Sequence, residues 1–194
     1  MKTFDKWGPY YKITLEIKPV QNPEESLYHN LIHLTSGPEK QAYGSRIPTV
    51  VLRGKVIFVR ITNYDNALTE NGGMGRVFKF TMNHDKWYTL QLEQRQTGPE
   101  ASVFEFLVDG SPIQESEQVK ESLETLNDQY ENVKLYLSDP WLASAVNMVE
   151  VKNILIWNGA GELNSNLLLK FVSSFSEGVR LVNVDLILML SQSF

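Results

Sequence analysis

The sequence contains no cysteine. Structural disulfides, thiolate catalysis and zinc–thiolate sites are therefore excluded. Basic residues are also in the minority, since 18 Lys and Arg stand against 23 Asp and Glu and leave a net charge of −5. Nucleic-acid binding and electrostatic docking on anionic lipid both favour a basic surface, so no nucleic-acid partner is expected.

Long apolar segments are missing as well. No hydrophobic run approaches the length of a membrane span, so no membrane-spanning segment is expected. The basic and apolar stretches of a secretory leader do not follow Met1. Either the protein is not secreted by that route or the chain begins after processing, and the compartment is left open.

The sequence is rich in alternating segments. Hydrophobic residues make up 42% and aromatic residues 11%, a composition that favours β structure around a substantial core. Apolar residues recur at every second position between Gly- and Pro-containing turns, and Asp109-Gly110 is a strong hairpin signal. The pattern predicts strands at 11–17, 31–34, 49–52, 56–61, 77–80, 87–92, 103–108, 133–137 and 149–156. We therefore expect an all-β sandwich of two antiparallel sheets.

The last part of the chain differs from the rest. Residues 1–158 are expected to form the β-sandwich domain, and residues 159–194 an apolar extension packed on the domain or on a partner. Segments 167–172 and 179–190 predict either an extra hairpin or a strand followed by a helix. Elsewhere, only residues 115–130 have helical spacing, in a charged segment that predicts a short surface helix or a loop.

The ten residues that end at Trp141 predict a strand that runs into an aromatic turn. Val133 and Leu135 alternate with polar neighbours, and Pro140 cannot donate to a sheet ladder, so pairing should stop before it. Asp139 can accept backbone N–H groups in the turn, and Trp141 offers a large flat ring beside it. This combination suits a sugar-binding loop, and it equally suits a plain β-turn.

Several short motifs follow one another in an order that resembles the concanavalin A-like, laminin-G-like jelly-roll superfamily. Within it, the closest resemblance is to a largely uncharacterised group of animal proteins found widely in marine invertebrates. The motifs are Trp7-Gly8-Pro9, His33-Leu-Thr-Ser-Gly37, Tyr43-Gly-Ser-Arg-Ile-Pro48, Lys86-Trp87-Tyr88, Asp109-Gly110, Ser138-Asp-Pro-Trp141 and Val151-Lys-Asn-Ile-Leu-Ile156. They cover roughly residues 5–158, and a Cys pair common in the group is replaced here by Glu39-Lys-Gln-Ala42.

The resemblance implies a jelly-roll fold with ligand loops at one edge or on one face. It also implies recognition of a glycan or a protein more than catalysis, and an extracellular location. Sugar binding uses aromatic faces together with polar groups that pair with hydroxyls. The candidate ligand-binding residues are Tyr43, Arg46, Asn63, Tyr64, Asp139 and Trp141. For Arg46 and Asp139 the alternative is an ion pair that holds two loops together, and Trp87 is expected in the core.

Neither a metal site nor a catalytic pair stands out. His29 and His33 are expected to be structural, with His33 packed on a strand, and His84 is expected in a polar turn. Calcium would need convergent oxygens, which the 63–70 loop could supply, although a hydrated turn is the favoured interpretation. No cofactor is expected. A glycoside hydrolase needs two carboxylates at fixed separation, and the Glu-x-Asp-x-x-Glu spacing is missing from the sequence.

The sequence therefore predicts a non-enzymatic, lectin-like recognition module whose partner is a glycan or a glycoprotein. A ring of the sugar would stack on Trp141 or Tyr64, and Asp139, Asn63 and Arg46 would fix its hydroxyls. One alternative is a structural or self-assembling protein whose C-terminal extension forms a homo-oligomer. A weaker alternative is a glycan hydrolase.

Overall fold

The computed structural model describes residues 1–19, 25–37, 46–62, 76–96, 102–117, 130–137, 141–145, 148–159, 166–173 and 182–189. Almost all of these residues belong to strands or to the turns between strands. Among them, no helix has the length and hydrophobicity that crossing a bilayer requires.

The first sheet has eight strands. In spatial order its path is β1 (Lys2–Trp7), β11 (Tyr130–Tyr136), β3 (His29–Thr35), β4 (Arg46–Arg53), β5 (Val56–Thr62), β6 (Arg76–Thr81) and β10 (Glu115–Glu117). Neighbours along this path pair antiparallel, and the two-residue strand β12 (Ala143–Ser144) pairs in parallel with β3.

The second sheet has seven antiparallel strands. Their order is β15 (Val182–Met189), β14 (Asn166–Ser173), β13 (Val149–Asn158), β2 (Tyr11–Pro19), β7 (Tyr88–Gln96), β8 (Ser102–Val108) and β9 (Ser111–Pro112). Within the C-terminal extension, strands β14 and β15 pair antiparallel and continue this sheet beyond β13. The expected domain boundary at residue 158 stays a prediction.

The core lies between the two sheets. Alternate residues of β2 are buried there, with Ile13, Leu15 and Ile17 all at 0% exposure. Aromatic rings connect the sheets: Trp7 packs against Tyr11 at 5.3 Å between centroids, and Phe78 packs against Phe104 at 5.5 Å. Burying such rings from both sheets is the main source of stability in a sandwich.

The Asn158 side chain connects the end of β13 to residues 6–8 by two hydrogen bonds. Its Oδ1 accepts the Gly8 N–H at 2.8 Å, and its Nδ2 donates to the Lys6 carbonyl at 2.9 Å. The side chain is 7% exposed, so both hydrogen bonds are shielded from water. The Trp7-Gly8-Pro9 motif is thus explained by the fold, because Trp7 fills the core and Gly8 joins the two sheets.

All nine predicted strands are confirmed, each within a few residues of its predicted bounds. The Asp109-Gly110 turn is also confirmed, since φ angles of 50° and 78° at these residues are those of a type I′ hairpin between β8 and β9. Strand β1 was not predicted, because its burial repeats every third residue instead of every second. For the helical candidate, residues 115–117 form β10 and Tyr130 begins β11, while residues 118–129 lie outside the described part.

Candidate functional site

The outer face of the first sheet, turned away from the core, carries a row of polar side chains. Register pairs Tyr136 with His33, His33 with Thr49, and Thr49 with Arg60 across β11, β3, β4 and β5. Directly paired residues point to the same face of a sheet. Their sequence neighbours Leu34, Val50, Val59 and Leu135 are in the core, so the row points outward.

Three aromatic rings meet at one end of this row. His33, Tyr136 and Trp141 form what we call the aromatic platform: the Trp141 ring lies 5.5 Å from each of the other two centroids, at 66° to His33 and 68° to Tyr136. His33 is 1% exposed, whereas Trp141 is 41% exposed. Edge-to-face contacts of this kind fix the orientation of an aromatic ring. Trp141 is therefore an exposed indole held in place by two neighbours.

A second group of aromatic rings lies beneath positively charged side chains. Tyr28 packs edge-on against Phe58 at 5.3 Å, and the Arg60 guanidinium lies 4.7 Å from the Tyr28 centroid. Arg53 lies 5.6 Å from the Tyr28 centroid, and Lys79 lies 5.8 Å from that of Phe58. We call Arg53, Arg60 and Lys79, with the two rings beneath them, the basic strip. Its cations lie on β4, β5 and β6 of the same outer face, and Tyr28 immediately precedes β3.

Thr49 lies in the row between His33 and Arg60. Its side chain is 4% exposed, and its Oγ1 has no hydrogen-bond partner among the described residues. A buried hydroxyl without a partner costs free energy and is uncommon in folded proteins. The outer face of the first sheet therefore includes a polar group whose hydrogen-bonding capacity is unused by the described part of the chain.

On the outer face of the second sheet, oppositely charged side chains neutralise one another. Ion pairs join Lys12 to Glu93 at 3.6 Å, Lys18 to Glu150 at 2.6 Å, Lys152 to Glu16 at 3.2 Å and Arg95 to Glu105 at 3.2 Å. A hydrogen bond donated by Asn153 and, after it, the neighbouring Lys152 hold the pKa of Glu16 below its usual value. Glu105 in turn raises the pKa of Arg95.

Glu93 and Glu105 face each other in the register of β7 and β8, but they do not form an acid–base pair of the hydrolase type. Each carboxylate is engaged by a cation, Lys12 for Glu93 and Arg95 for Glu105. The Arg95 contact is bidentate, because Nε and Nη2 each donate to a Glu105 carboxylate oxygen at 3.2 Å. This geometry is that of a surface ion pair.

Two of the six predicted ligand-binding residues are in the described part. Trp141 belongs to the aromatic platform, whereas Arg46 begins β4 at 9% exposure and pairs with Thr62 at the far end of the strand from Arg53. Tyr43, Asn63, Tyr64 and Asp139 lie outside the described residues, and so does the whole 63–70 loop considered for calcium. The ligand-binding role of all six stays a prediction.

The histidines lie where the sequence places them. His33 is packed on a strand, and His84 is exposed in the turn that precedes β7. His29 is 7% exposed. Within the described ranges, no three His, Asp or Glu side chains come together in a way that could hold a metal ion.

The expectation that Trp87 is a core residue was wrong. Its ring is half-buried at the start of β7, and the ammonium groups of Lys152 and Lys18 lie 3.9 Å and 5.5 Å from its centroid. Lysine stems cover such a ring from the solvent side while their charges stay in water. The alternation of 87–92 could have shown this, because Tyr88, Leu90 and Leu92 take the core positions.

Sequence reasoning also missed Tyr136, Thr49 and Arg60 as neighbours of the candidate site. Alternation alone places each of them on the outer face of its strand. What the sequence does not give is the order β11-β3-β4-β5, which brings residues more than 70 positions apart into one row.

No protein-family model and no curated protein sequence matches this chain. Solved structures do match it. An endo-β-1,4-glucuronan lyase from the fungus Trichoderma reesei superposes with a TM-score of 0.50 at 12% identity, over 80% of this chain and 72% of the lyase. A native heptameric SAP-like pentraxin from Limulus polyphemus gives 0.47 at 9% identity, over 84% and 69% of the two chains.

These similarities concern the fold, because the identities are far too low to carry a site across. The architecture is a jelly-roll β-sandwich of two antiparallel sheets, which confirms the predicted fold class. The closer resemblance to a group of animal proteins rests on the sequence motifs alone.

Proposed function

We propose that the protein is a lectin-like module that binds a glycan, free or on a glycoprotein, at the aromatic platform without transforming it. The observation that carries this proposal is Trp141, which is 41% exposed although two packed rings fix its orientation. A rigid, exposed indole loses little conformational entropy when a sugar ring stacks on it, so its contact area is converted efficiently into affinity.

Polar groups beside the platform complete the proposed site. In the row beside the platform, His33 and Thr49 are buried, so they would support the ring of Trp141 and the sheet beneath the sugar without contacting its hydroxyls. Asp139, two residues before Trp141 in the chain, would add a carboxylate acceptor, and Asn63, Tyr64, Tyr43 and Arg46 remain candidates for the rim. A few polar groups around an aromatic surface are the usual composition of a ligand site.

The fold is compatible with this proposal but does not decide it. The structure that superposes at a TM-score of 0.50 is that of a lyase acting on a β-1,4-glucuronan, so this architecture can present a polysaccharide-binding surface. Fold likeness does not transmit an activity, however, and the residues of the site must carry the argument.

Self-assembly is the second candidate, and one observation favours it. Leu155 and Trp157 are 41% and 43% exposed on β13, beside the apolar hairpin that ends in the edge strand β15. An unpaired edge can add a strand from a second copy. If the hairpin makes a homo-oligomer, a chain cut after Asn158 should become monomeric in sedimentation while keeping its β circular dichroism. Loss of folding would show instead that the hairpin completes the sandwich.

The lectin proposal is tested by screening the intact protein on a glycan array, with and without calcium. We expect selective binding that Trp141→Ala removes. Trp157→Ala is the matched control, because it deletes an equally exposed indole from the second sheet. A folded wild-type protein that binds no glycan would contradict the proposal and favour assembly.

A further inference from the structure

Among the described strands, four lie at the edges of the two sheets, and three of them have features that block pairing with another chain. Strand β1 presents Lys2, Asp5 and Lys6 at the edge of the first sheet, and all three are exposed. Strand β9 is two residues long and ends in Pro112, and β10 is three residues long with a glutamate at each end. Charge, proline and short length are the usual means by which natural sheets prevent edge-to-edge association.

The fourth edge strand, β15, has none of these features. It is eight residues long, and among the described strands it pairs with β14 alone. Its sequence contains neither lysine nor proline, and apolar residues fill the four positions 186–189. A continuous apolar run is typical of a strand that is covered on all sides, whereas edge strands usually carry charge. The sequence of β15 therefore fits a strand that is paired on both sides.

The charge of β15 does not oppose a contact between two copies. Asp185 is the one ionisable residue in its sequence, and the register places it opposite Lys170 of β14. Paired positions of opposite charge offset each other. Two such edges can therefore approach, although each chain carries a net charge of −5.

A second β15 is a suitable partner for the unpaired backbone groups of this edge. Antiparallel pairing of two eight-residue strands makes about eight backbone hydrogen bonds, a number within the range of specific protein interfaces. The same edge serves both copies, so the contact is complete with two chains and leaves no further β15 edge to extend it.

We infer that two copies of this protein pair antiparallel through β15, so that their two seven-stranded sheets form one sheet of fourteen strands. The two-fold axis between such strands is perpendicular to the sheet, and both copies therefore turn the same face to the same side. The two Trp141 rings, each on the outer face of a first sheet, lie on one side of the dimer. The dimer thus binds two glycan chains of one surface, a consequence that rests on the proposed function.

The contact is tested by the molar mass of the intact protein in sedimentation equilibrium, where we expect twice the 22.2 kDa of one chain. The register places position 187 in one row with Leu168 and the exposed Leu155, so Ile187→Lys adds a charge to the edge on the side away from the core. It should raise the dissociation constant of the dimer at least about tenfold, since the two-fold axis introduces the charge twice. Thr3→Lys adds the same charge to the exposed edge strand β1 and should leave the dimer intact.

Two further variants separate this edge from other contacts. Trp157→Ala should remain dimeric, because β13 lies two strands away from the edge. If Ile187→Lys fails to fold, Asp185→Cys takes its place. The chain has no cysteine, so a short bis-maleimide should join two Asp185→Cys chains and should not join two Thr3→Cys chains.

Bivalent binding is measured separately, on a surface densely coated with the glycan that the array selects. Wild type should dissociate from it at least about tenfold more slowly than Ile187→Lys, while both have the same affinity for the soluble glycan. A wild type that is monomeric or larger than a dimer, or equal dissociation by Ile187→Lys and Thr3→Lys, would overturn the inference. Trp141-dependent glycan binding by a monomer would then leave the proposed function standing, whereas a β15-dependent dimer that binds no glycan would support the contact without the proposed function.

Discussion

The two outer faces of this sandwich share one core but differ in the surroundings of their aromatic rings. On the second sheet, lysines and arginines face glutamates across neighbouring strands, and the ring of Trp87 is covered by two lysines. On the first sheet, Trp141 is 41% exposed and packs against the other two rings of the aromatic platform, whereas the equally exposed Trp157 of the second sheet has no such ring contact among the described residues.

The contrast is between ion pairs on the second face and an exposed ring held in one orientation on the first face. Exposed ion pairs on a sheet contribute little stability and mainly keep the surface soluble. An exposed ring fixed by packed neighbours instead leaves apolar area in water that a ligand can cover. The comparison predicts that substitutions on the first face change binding or packing, while those on the second face change little.

The largest stability effect is expected at His33. We predict that His33→Ala lowers the free energy of unfolding by about 2 kcal/mol, because it removes a buried ring that supports both Tyr136 and Trp141. Urea unfolding monitored by circular dichroism measures the change. Lys12→Ala on the second face is the control and should change stability by less than about 0.5 kcal/mol. Similar losses of unfolding free energy in His33→Ala and Lys12→Ala would contradict the predicted difference between the two faces.

A smaller effect is expected at Asp109, in the hairpin at the edge of the second sheet. Its Oδ1 accepts the Thr89 N–H at 2.9 Å and its Oδ2 lies 3.2 Å from Lys86 Nζ. The Thr89 hydrogen bond and, after it, Lys86 hold the pKa of Asp109 below its usual value of 3.8. Because the carboxylate is partly exposed, solvent screens these contacts, and Asp109→Asn should cost about 0.5 kcal/mol at pH 7.

The sign of the pH dependence follows from the lowered pKa. The charged carboxylate stabilises the fold above pH 3.8, and this contribution is lost as the pH falls through the folded-state value, which lies lower. The free energies of unfolding of wild type and Asp109→Asn, measured with urea at pH 7, 5 and below 3, should therefore converge as the pH falls. A stability difference that persists unchanged at the lowest pH would contradict this account.

The sequence determines the strands better than it determines the site. Period-2 alternation in segments such as β2 is a local property, and so is the Asp109-Gly110 turn, so both could be predicted. The platform could not, because it depends on the pairing of β3 with β11 and on the return of Trp141 over His33, 108 positions earlier. Strand β1 was missed because its burial repeats every third residue, where the register with β11 passes a positive φ at Asn132.

The central claim is that Trp141 is a binding surface and that an equally exposed indole elsewhere is not. Isothermal titration calorimetry with the strongest ligand from the glycan array, on wild type, Trp141→Ala and Trp157→Ala, tests it directly. The account predicts at least a tenfold loss of affinity for Trp141→Ala, equivalent to about 1.4 kcal/mol, and none for Trp157→Ala, with all three proteins folded. Equal affinities for the two variants would contradict it.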